Sequence, residues 1–285
     1  MSLDKILLLE SVPMSTTIVA ASKSVFGSPQ MRLAAGGWVF FVVENAVLSE
    51  NRTWLIDSLG DDNYHLLYGA FSTAATASIG YAYYRITRGG RGVTTGIKLS
   101  PLSRLASWGF LSAGLILASQ ALPKMQIPFM VSASSSSSES SSNGLKFQVR
   151  CPFDFGDQKH ASDAALRGME RVTRHPGLWS LALMGAGNAV LQTHPPLKMW
   201  WYGPTLVAWL GGAHSDSRFR RGMGGTLDPG YDSQTSNFPF AAMLSGKQGT
   251  PSRTFAGLIE ETKVLNAGCA VAMASLWVLS RGRVR

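Results

Sequence analysis

The chain has 285 residues, with 26 Lys+Arg against 17 Asp+Glu, a formal net charge of +9 and only 15% charged residues, where about 25% is usual for soluble domains. Its two cysteines, Cys151 and Cys269, are too few and too far apart for a disulfide framework or a zinc signature. The basic balance suits nucleic acid or membrane alike, and long uncharged runs with eight tryptophans turn the reading to the bilayer, with no nucleic-acid partner.

Residues 1–30 form an N-terminal segment, read as a surface helix or a degenerate targeting segment. Its apolar stretch Ile6–Leu9 is too short for an ordinary secretory signal before Glu10 and Pro13. An N-terminal membrane half over 31–122 holds three apolar runs, Leu33–Leu48, Leu66–Tyr84 and Leu105–Leu122. A C-terminal half over 161–285 holds three more, Pro176–Thr193, Met199–Ala213 and Val264–Ser280. A helix needs roughly 17 to 25 residues to cross hydrocarbon, so the fold class predicted is all-α, a polytopic membrane helical bundle of about six transmembrane helices. The run from Leu66 is rich in Gly, Ala, Ser and Thr, which predicts close packing inside the bundle. Glu44 and Asn45 interrupt the first run, and an ionisable group there is expensive unless it faces a partner, a cavity or the headgroups.

Between the halves, 123–160 reads as a disordered region around the serine tract Ser132–Ser142. Ala161–Arg174 predicts a short amphipathic helix with Asp163/Arg167 and Glu170/Arg174 paired at i, i+4. Arg85, Arg88, Arg91, Lys98 and Arg104 lie between the second and third runs with no acid among them. The positive-inside tendency puts that loop on the cytoplasmic side or its organellar equivalent, and six crossings return Arg281, Arg283 and Arg285 to it.

The string Arg171-Val-Thr-Arg174-His175-Pro176 precedes the fourth run directly. Proline favours the first position of a helix and pushes its predecessor out of helical geometry, so His175 falls at a helix mouth, where an anionic group is favoured. The chain turns at His194-Pro195-Pro196, and His214 then emerges on the same face as His175. Packed helices lie about 8 to 10 Å apart, which brings the two imidazoles toward one site among Arg171, Arg174, Arg218, Arg220 and Arg221. Such a cluster suits an anionic cofactor, a lipid headgroup or a haem propionate. The competing reading pairs Arg174 with Glu170 and leaves the other arginines to solvent and lipid phosphates.

These residues resemble the NnrU family of membrane proteins, which includes the plant and algal zeta-carotene isomerases. The resemblance is carried by the Arg171–Pro176 string, by His214 with Asp216-Ser-Arg218-Phe-Arg220-Arg221, and by Ser236-Asn-Phe-Pro-Phe-Ala-Ala-Met-Leu-Ser-Gly-Lys-Gln248. Leu59-Gly-Asp-Asp-Asn-Tyr-His-Leu-Leu-Tyr68 is similar to the family's N-terminal features. For the isomerase branch the resemblance implies haem-dependent isomerisation of a carotenoid, an apolar ligand, in a plastid membrane. It also implies haem b, with His175 and His214 as matched histidines and His65 as a substitute one turn from Asp62. The positions of the branch's proposed axial histidines fall here at Asp62 and Asn188, the nearby cysteine at Gly185, and another family histidine at Glu44. Haem needs an axial nitrogen or sulfur, which neither aspartate nor asparagine supplies well.

Two alternatives stand beside the isomerase. One is a membrane methyltransferase that uses S-adenosylmethionine and shares the arginine-histidine-proline turn, from which Leu178, Ser180 and the pair Asp216-Ser217 depart. The other is a noncatalytic membrane protein that binds lipid or pigment and assists a partner.

Overall fold

The structure, a computed structural model, describes residues 27–88, 99–121, 129–132, 146–149, 166 and 168–282. The N-terminal segment up to residue 26, most of the serine tract, the Asp163/Arg167 pair, and Arg91, Lys98, Arg283 and Arg285 lie outside them.

All six apolar runs are helical. The first is α1, Pro29–Glu50, whose N-cap Ser28 accepts from the Met31 amide and whose Pro29 takes the first turn. A short α2, Arg52–Leu59, and then α3, Asp61–Thr87, follow, separated by Gly60 at φ 82°. Next come α4, Pro101–Ala121, and two four-residue strands, β1 Phe129–Ser132 and β2 Lys146–Val149, paired antiparallel. The second half holds α5, Pro176–Val190, and α6, Pro195–Leu206, continued by a π-turn over Val207–Gly211 into α7, Gly212–Arg220. Short helices α8, Pro229–Gln234, and α9, Ala241–Leu244, lead to α10, Pro251–Glu261, and α11, Val264–Gly282.

Three of these helices are long and apolar enough to cross a membrane: Pro29–Glu50, Pro101–Gln120 and Val264–Arg281. The other three runs fall short of that measure for different reasons. Helix α3 is long, but its small and hydroxyl side chains dilute its hydropathy; α5 has 15 residues; α6 has 12 before its hydrogen bonding changes. Pro204 inside α6 lacks the N–H that would bond one turn back, and the π-turn begins three residues later.

Helix α5 is the centre of the bundle. It runs antiparallel to α4, with Ser107 Oγ donating to Gly187 O at 2.8 Å, Leu111 against Gly187, and Gly114 against Ser180 O and Met184. On its other side Gly185 meets α6 so closely that a Cβ would lie 2.6 Å from Trp201 O. Helix α11 docks on α4 through Trp108 Nε1, which donates to Ser275 Oγ at 2.9 Å, and on α5 through Trp277 Nε1, which donates to Asn188 Oδ1 at 3.1 Å.

Helix α3 does not take the interior position that its small residues predict. It buries one stripe, Tyr64, Tyr68, Ser72, Ala75, Ala82 and Ile86, against α1 and α6, and turns Ala70, Thr73, Ala74 and Ala77 outward. The large side chains on that stripe decide which face is buried. Nor does the predicted amphipathic helix persist through Glu170–Arg174: Gly168, at φ 56°, opens a single 3-10 turn, Gly168–Glu170, and Arg174 turns to Asp216 and Asp232 rather than to Glu170.

The α5–α6 contact supplies a direct stability test. Gly185→Val should lower the midpoint of thermal unfolding in detergent, at a cost of about 1–3 kcal/mol for overpacking, whereas the same change at Gly80, which has open space around it, should cost far less.

Candidate functional site at the Arg-His-Pro turn

Pro176 takes the first turn of α5 and His175 is its N-cap, at φ −119° and ψ 63°. The turn is tied down by a segment sixty residues further on. Arg174 N donates to Ser236 O at 2.9 Å, Thr173 Oγ1 to Asn237 O at 2.5 Å, and Phe240 N to Val172 O at 2.8 Å. Asn237 then bridges two helices, accepting from Trp179 Nε1 at 3.0 Å and donating to Trp209 O at 3.0 Å. Gly212 makes room for it, since a Cβ there would lie 2.5 Å from Asn237 Oδ1. Phe240 holds a left-handed conformation, φ 62°, a strained choice for a bulky residue that the surrounding bonds impose.

Arg174 is the hub. Its guanidinium meets Asp216 Oδ2 at 2.9 Å and Asp232 Oδ1 at 2.8 Å, and its Nε donates to Thr235 Oγ1 at 2.9 Å. The side chains of Arg174 and Asp216 are only 6% and 5% exposed. His175 Nε2 lies 2.9 Å from Asp216 Oδ1. A carboxylate only accepts, so Nε2 is the donor in this contact. His214 Nε2 lies 2.8 Å from Ser49 Oγ, whose own proton goes to Ala46 O. The π-turn just before His214 resets the helical phase so that Asp216 reaches Arg174 while His214 reaches α1.

The sequence-predicted arginines do converge on this end of the bundle, but on carboxylates. Arg171 forks Glu261 at 2.8 and 3.1 Å, Arg220 forks Asp232 at 2.6 and 2.8 Å, and Arg221 forks Glu50 at 2.5 and 2.9 Å. Arg218, 1% exposed, lies under the turn Arg221–Gly224, where Gly224 at φ 76° would bring a Cβ within 3.1 Å of its Nη2. His65 pairs with Asp61 at 3.5 Å on the first turns of α3. Sequence reasoning missed Asp232, Thr235, Asn237, Glu50 and Glu261 as parts of this end. The signal for an acid at each arginine was there, since buried cations need partners, but which acid was not.

A cleft of about 310 Å³ opens beside the hub. Trp209 and Phe238, with rings 6.2 Å apart, form an aromatic wall, and Arg220, Asp232 and Lys247 form the polar side.

The haem positions implied by the resemblance can be tested against this geometry. Asp62 is exposed at the start of α3, at the same end as His175. Asn188 is buried near the far end of α5, about 20 Å along the helix from His175, donating to Met184 O and accepting from Trp277. Axial ligands must meet at one iron, and these two positions lie at opposite ends of the bundle. Both matched histidines engage Nε2 inside the chain. These residues do not fit haem.

No known protein family, no curated protein and no solved structure matches the chain.

Two measurements test the hub. Asp216→Asn leaves Arg174 with one carboxylate fewer and should cost about 3–5 kcal/mol of stability, while Asp216→Leu combined with Arg174→Met should recover much of that loss. Full additivity in the double-mutant cycle would refute the pairing. The second concerns acid. Arg220's hydrogen bonds, outweighing burial, hold the Asp232 carboxyl below its ordinary 3.8. A folded value below the unfolded one gives stability that is complete above the unfolded value and lost as pH falls through the folded one. Stability should therefore decline below about pH 4, and Asp232→Asn should flatten that decline.

Proposed function

We propose that the chain is an integral membrane protein of the NnrU kind in which all six apolar helices cross the bilayer. On this reading it uses the Arg-His-Pro end to bind a small amphipathic ligand rather than to carry out haem-dependent carotenoid isomerisation in a plastid membrane. The observation that carries the reading is the hub itself: Arg174, His175 and Asp216 satisfy one another and leave a cleft with one aromatic and one polar side. Guanidinium groups already paired with carboxylates hold a shape.

The six crossings draw support from the antiparallel order of α4, α5 and α6, since α4 is a span by length and composition and α5 and α6 lie against it and each other. In a cleft of this kind an apolar body lies on Trp209 and Phe238 while a polar head meets Lys247 and Arg220.

A methyltransferase using S-adenosylmethionine is favoured by one observation, the carboxylates of Asp216 and Asp232 beside aromatic rings, which suit a sulfonium cation. Both carboxylates are already neutralised by Arg174 and Arg220, which ranks it second.

The test is optical and calorimetric. Protein purified in detergent after growth with haem should show no Soret band, and quenching of tryptophan fluorescence by a brominated lysolipid should weaken in Trp209→Leu. A stoichiometric Soret band would overturn the reading in favour of a haem isomerase, and saturable heat on adding S-adenosylmethionine would overturn it in favour of the methyltransferase.

A further inference from the structure

The cleft beside the hub carries more positive charge than its own acids answer. Arg174, Arg220 and Lys247 line it against the two carboxylates of Asp216 and Asp232. Arg174 takes one oxygen from each carboxylate, and Arg220 forks Asp232. Lys247 takes none. Among the described residues its ammonium has neither an acidic partner nor a side-chain hydrogen bond. An anion entering the cleft therefore meets one uncommitted cation, whereas a cation meets carboxylates that are already engaged.

The lysine stands on a fixed turn. Helix α9 ends at Leu244, Gly246 follows at φ 76°, which glycine takes without strain, and Lys247 N donates back to Ala242 O at 3.1 Å. Gln248 Nε2 donates to Arg171 O and to Gln234 O, each at 2.9 Å, and so ties that turn to the Arg-His-Pro segment and to the end of α8. The aromatic wall of the cleft is half open: Trp209 and Phe238 are 50% and 48% exposed. Their backbone and stacking hold them in place, since Asn237 donates to Trp209 O and the Phe238 ring lies 5.3 Å from that of Trp179. A volume of about 310 Å³ is near the lower end of ligand pockets, roughly 300 to 1,000 Å³. It has room for a compact head and the first part of one chain.

We propose that the cleft takes a single-chain fatty carboxylate, with its carboxylate on Lys247 and its chain along Trp209 and Phe238. The proposal rests on the ligand-binding reading given above and adds the charge and form of the head. A carboxylate carries one negative charge, which the one unanswered lysine matches. It is also smaller than a glycerophosphate, which suits the volume.

Quenching of tryptophan fluorescence by dibromostearate, by its methyl ester and by a trimethylammonium on the same brominated chain tests it. The full chain is held in maltoside micelles at a pH alkaline enough to ionise the acid, with equal micellar mole fractions of each compound. The part of the quenching that Trp209→Leu removes is the signal from the cleft. In the native chain the acid should half-saturate that signal at about one-fifth of the mole fraction that the ester needs, the ratio that an exposed ion pair of about 1 kcal/mol supplies. Added salt should erode this lead without moving the ester. Lys247→Gln, at an exposed position, should bring acid and ester level, Lys247→Glu should put the trimethylammonium chain ahead of the acid, and Lys198→Gln, at the far end of the bundle, should change nothing. If either Lys247 variant does not fold, the other and the salt series carry the test. Equal quenching by acid and ester in the native chain, or a preference that survives Lys247→Gln, overturns the proposal and leaves the ligand-binding reading standing. Stronger quenching by a dibrominated lysophosphatidylglycerol than by the acid overturns the carboxylate assignment. If no compound gives quenching that depends on Trp209, the ligand-binding reading itself has failed, and that is seen before any two heads are compared.

Discussion

A guanidinium placed out of reach of water forces its surroundings to supply charge, and Arg174 organises this protein on that basis. Its partners come from two separate stretches, Asp216 on α7, and Asp232 on α8 with Thr235 just after it. Removing either carboxylate leaves a buried cation short of its counter-charge, which costs far more than the pair contributes over an apolar replacement. The pair therefore acts on geometry more than on stability. It fixes where α5 begins, how α7 is oriented, and which way the segment carrying Asn237 and Phe238 must run to close the turn.

The same logic sorts charge over the whole bundle. At the Arg-His-Pro end arginines meet carboxylates as forks, with Glu50, Asp232 and Glu261 each taking one. Such an end can be rigid without an external anion. The opposite end has cations with aromatic neighbours and no acids among the described residues. Among the described residues, cations without acidic neighbours thus gather on one face, where the medium or the headgroups must answer them.

Element positions were legible in the sequence because hydrophobic runs report themselves. Each of the six apolar stretches is a helix, and the starts read at Pro176 and Pro195 are kept by the structure. The turn at His175 was legible for the same local reason. Partnership was not. Arg171 pairs with Glu261 and Arg221 with Glu50, contacts between residues far apart in the chain that no spacing rule encodes. The i, i+4 pairing of Glu170 with Arg174 fails because Gly168 and Pro176 bracket a stretch too short for a helix, and tertiary charge then claims the arginine. The π-turn at Val207–Gly211 was hidden in a run whose apolar character does not reveal its hydrogen-bond order, although Pro204 is its local cause.

Helix α3 shows how polar groups work beside packing at a buried helix contact. Some of its small residues face outward, but Ser72, Ala75 and Ala82 lie on the buried stripe, and Gly37 of α1 packs against the backbone of Ser78 and Ile79. Two tyrosines and one buried polar seam join the two helices beside that contact. Tyr68 donates to Asn45 Oδ1 at 2.6 Å, Asn45 Nδ2 donates to Glu44 Oε2 at 2.6 Å, and one turn on Ser49 receives His214. Buried out of reach of water, each such group must find a protein partner in a single geometry. That requirement turns Glu44 and Asn45 from interruptions of an apolar run into the contacts that set the register of α1 against α3. Through Ser49 the same helix is coupled to His214, two residues from the carboxylate that anchors Arg174. The N-terminal half is thereby aligned with the site by hydrogen bonds whose loss would leave its apolar faces free to slide.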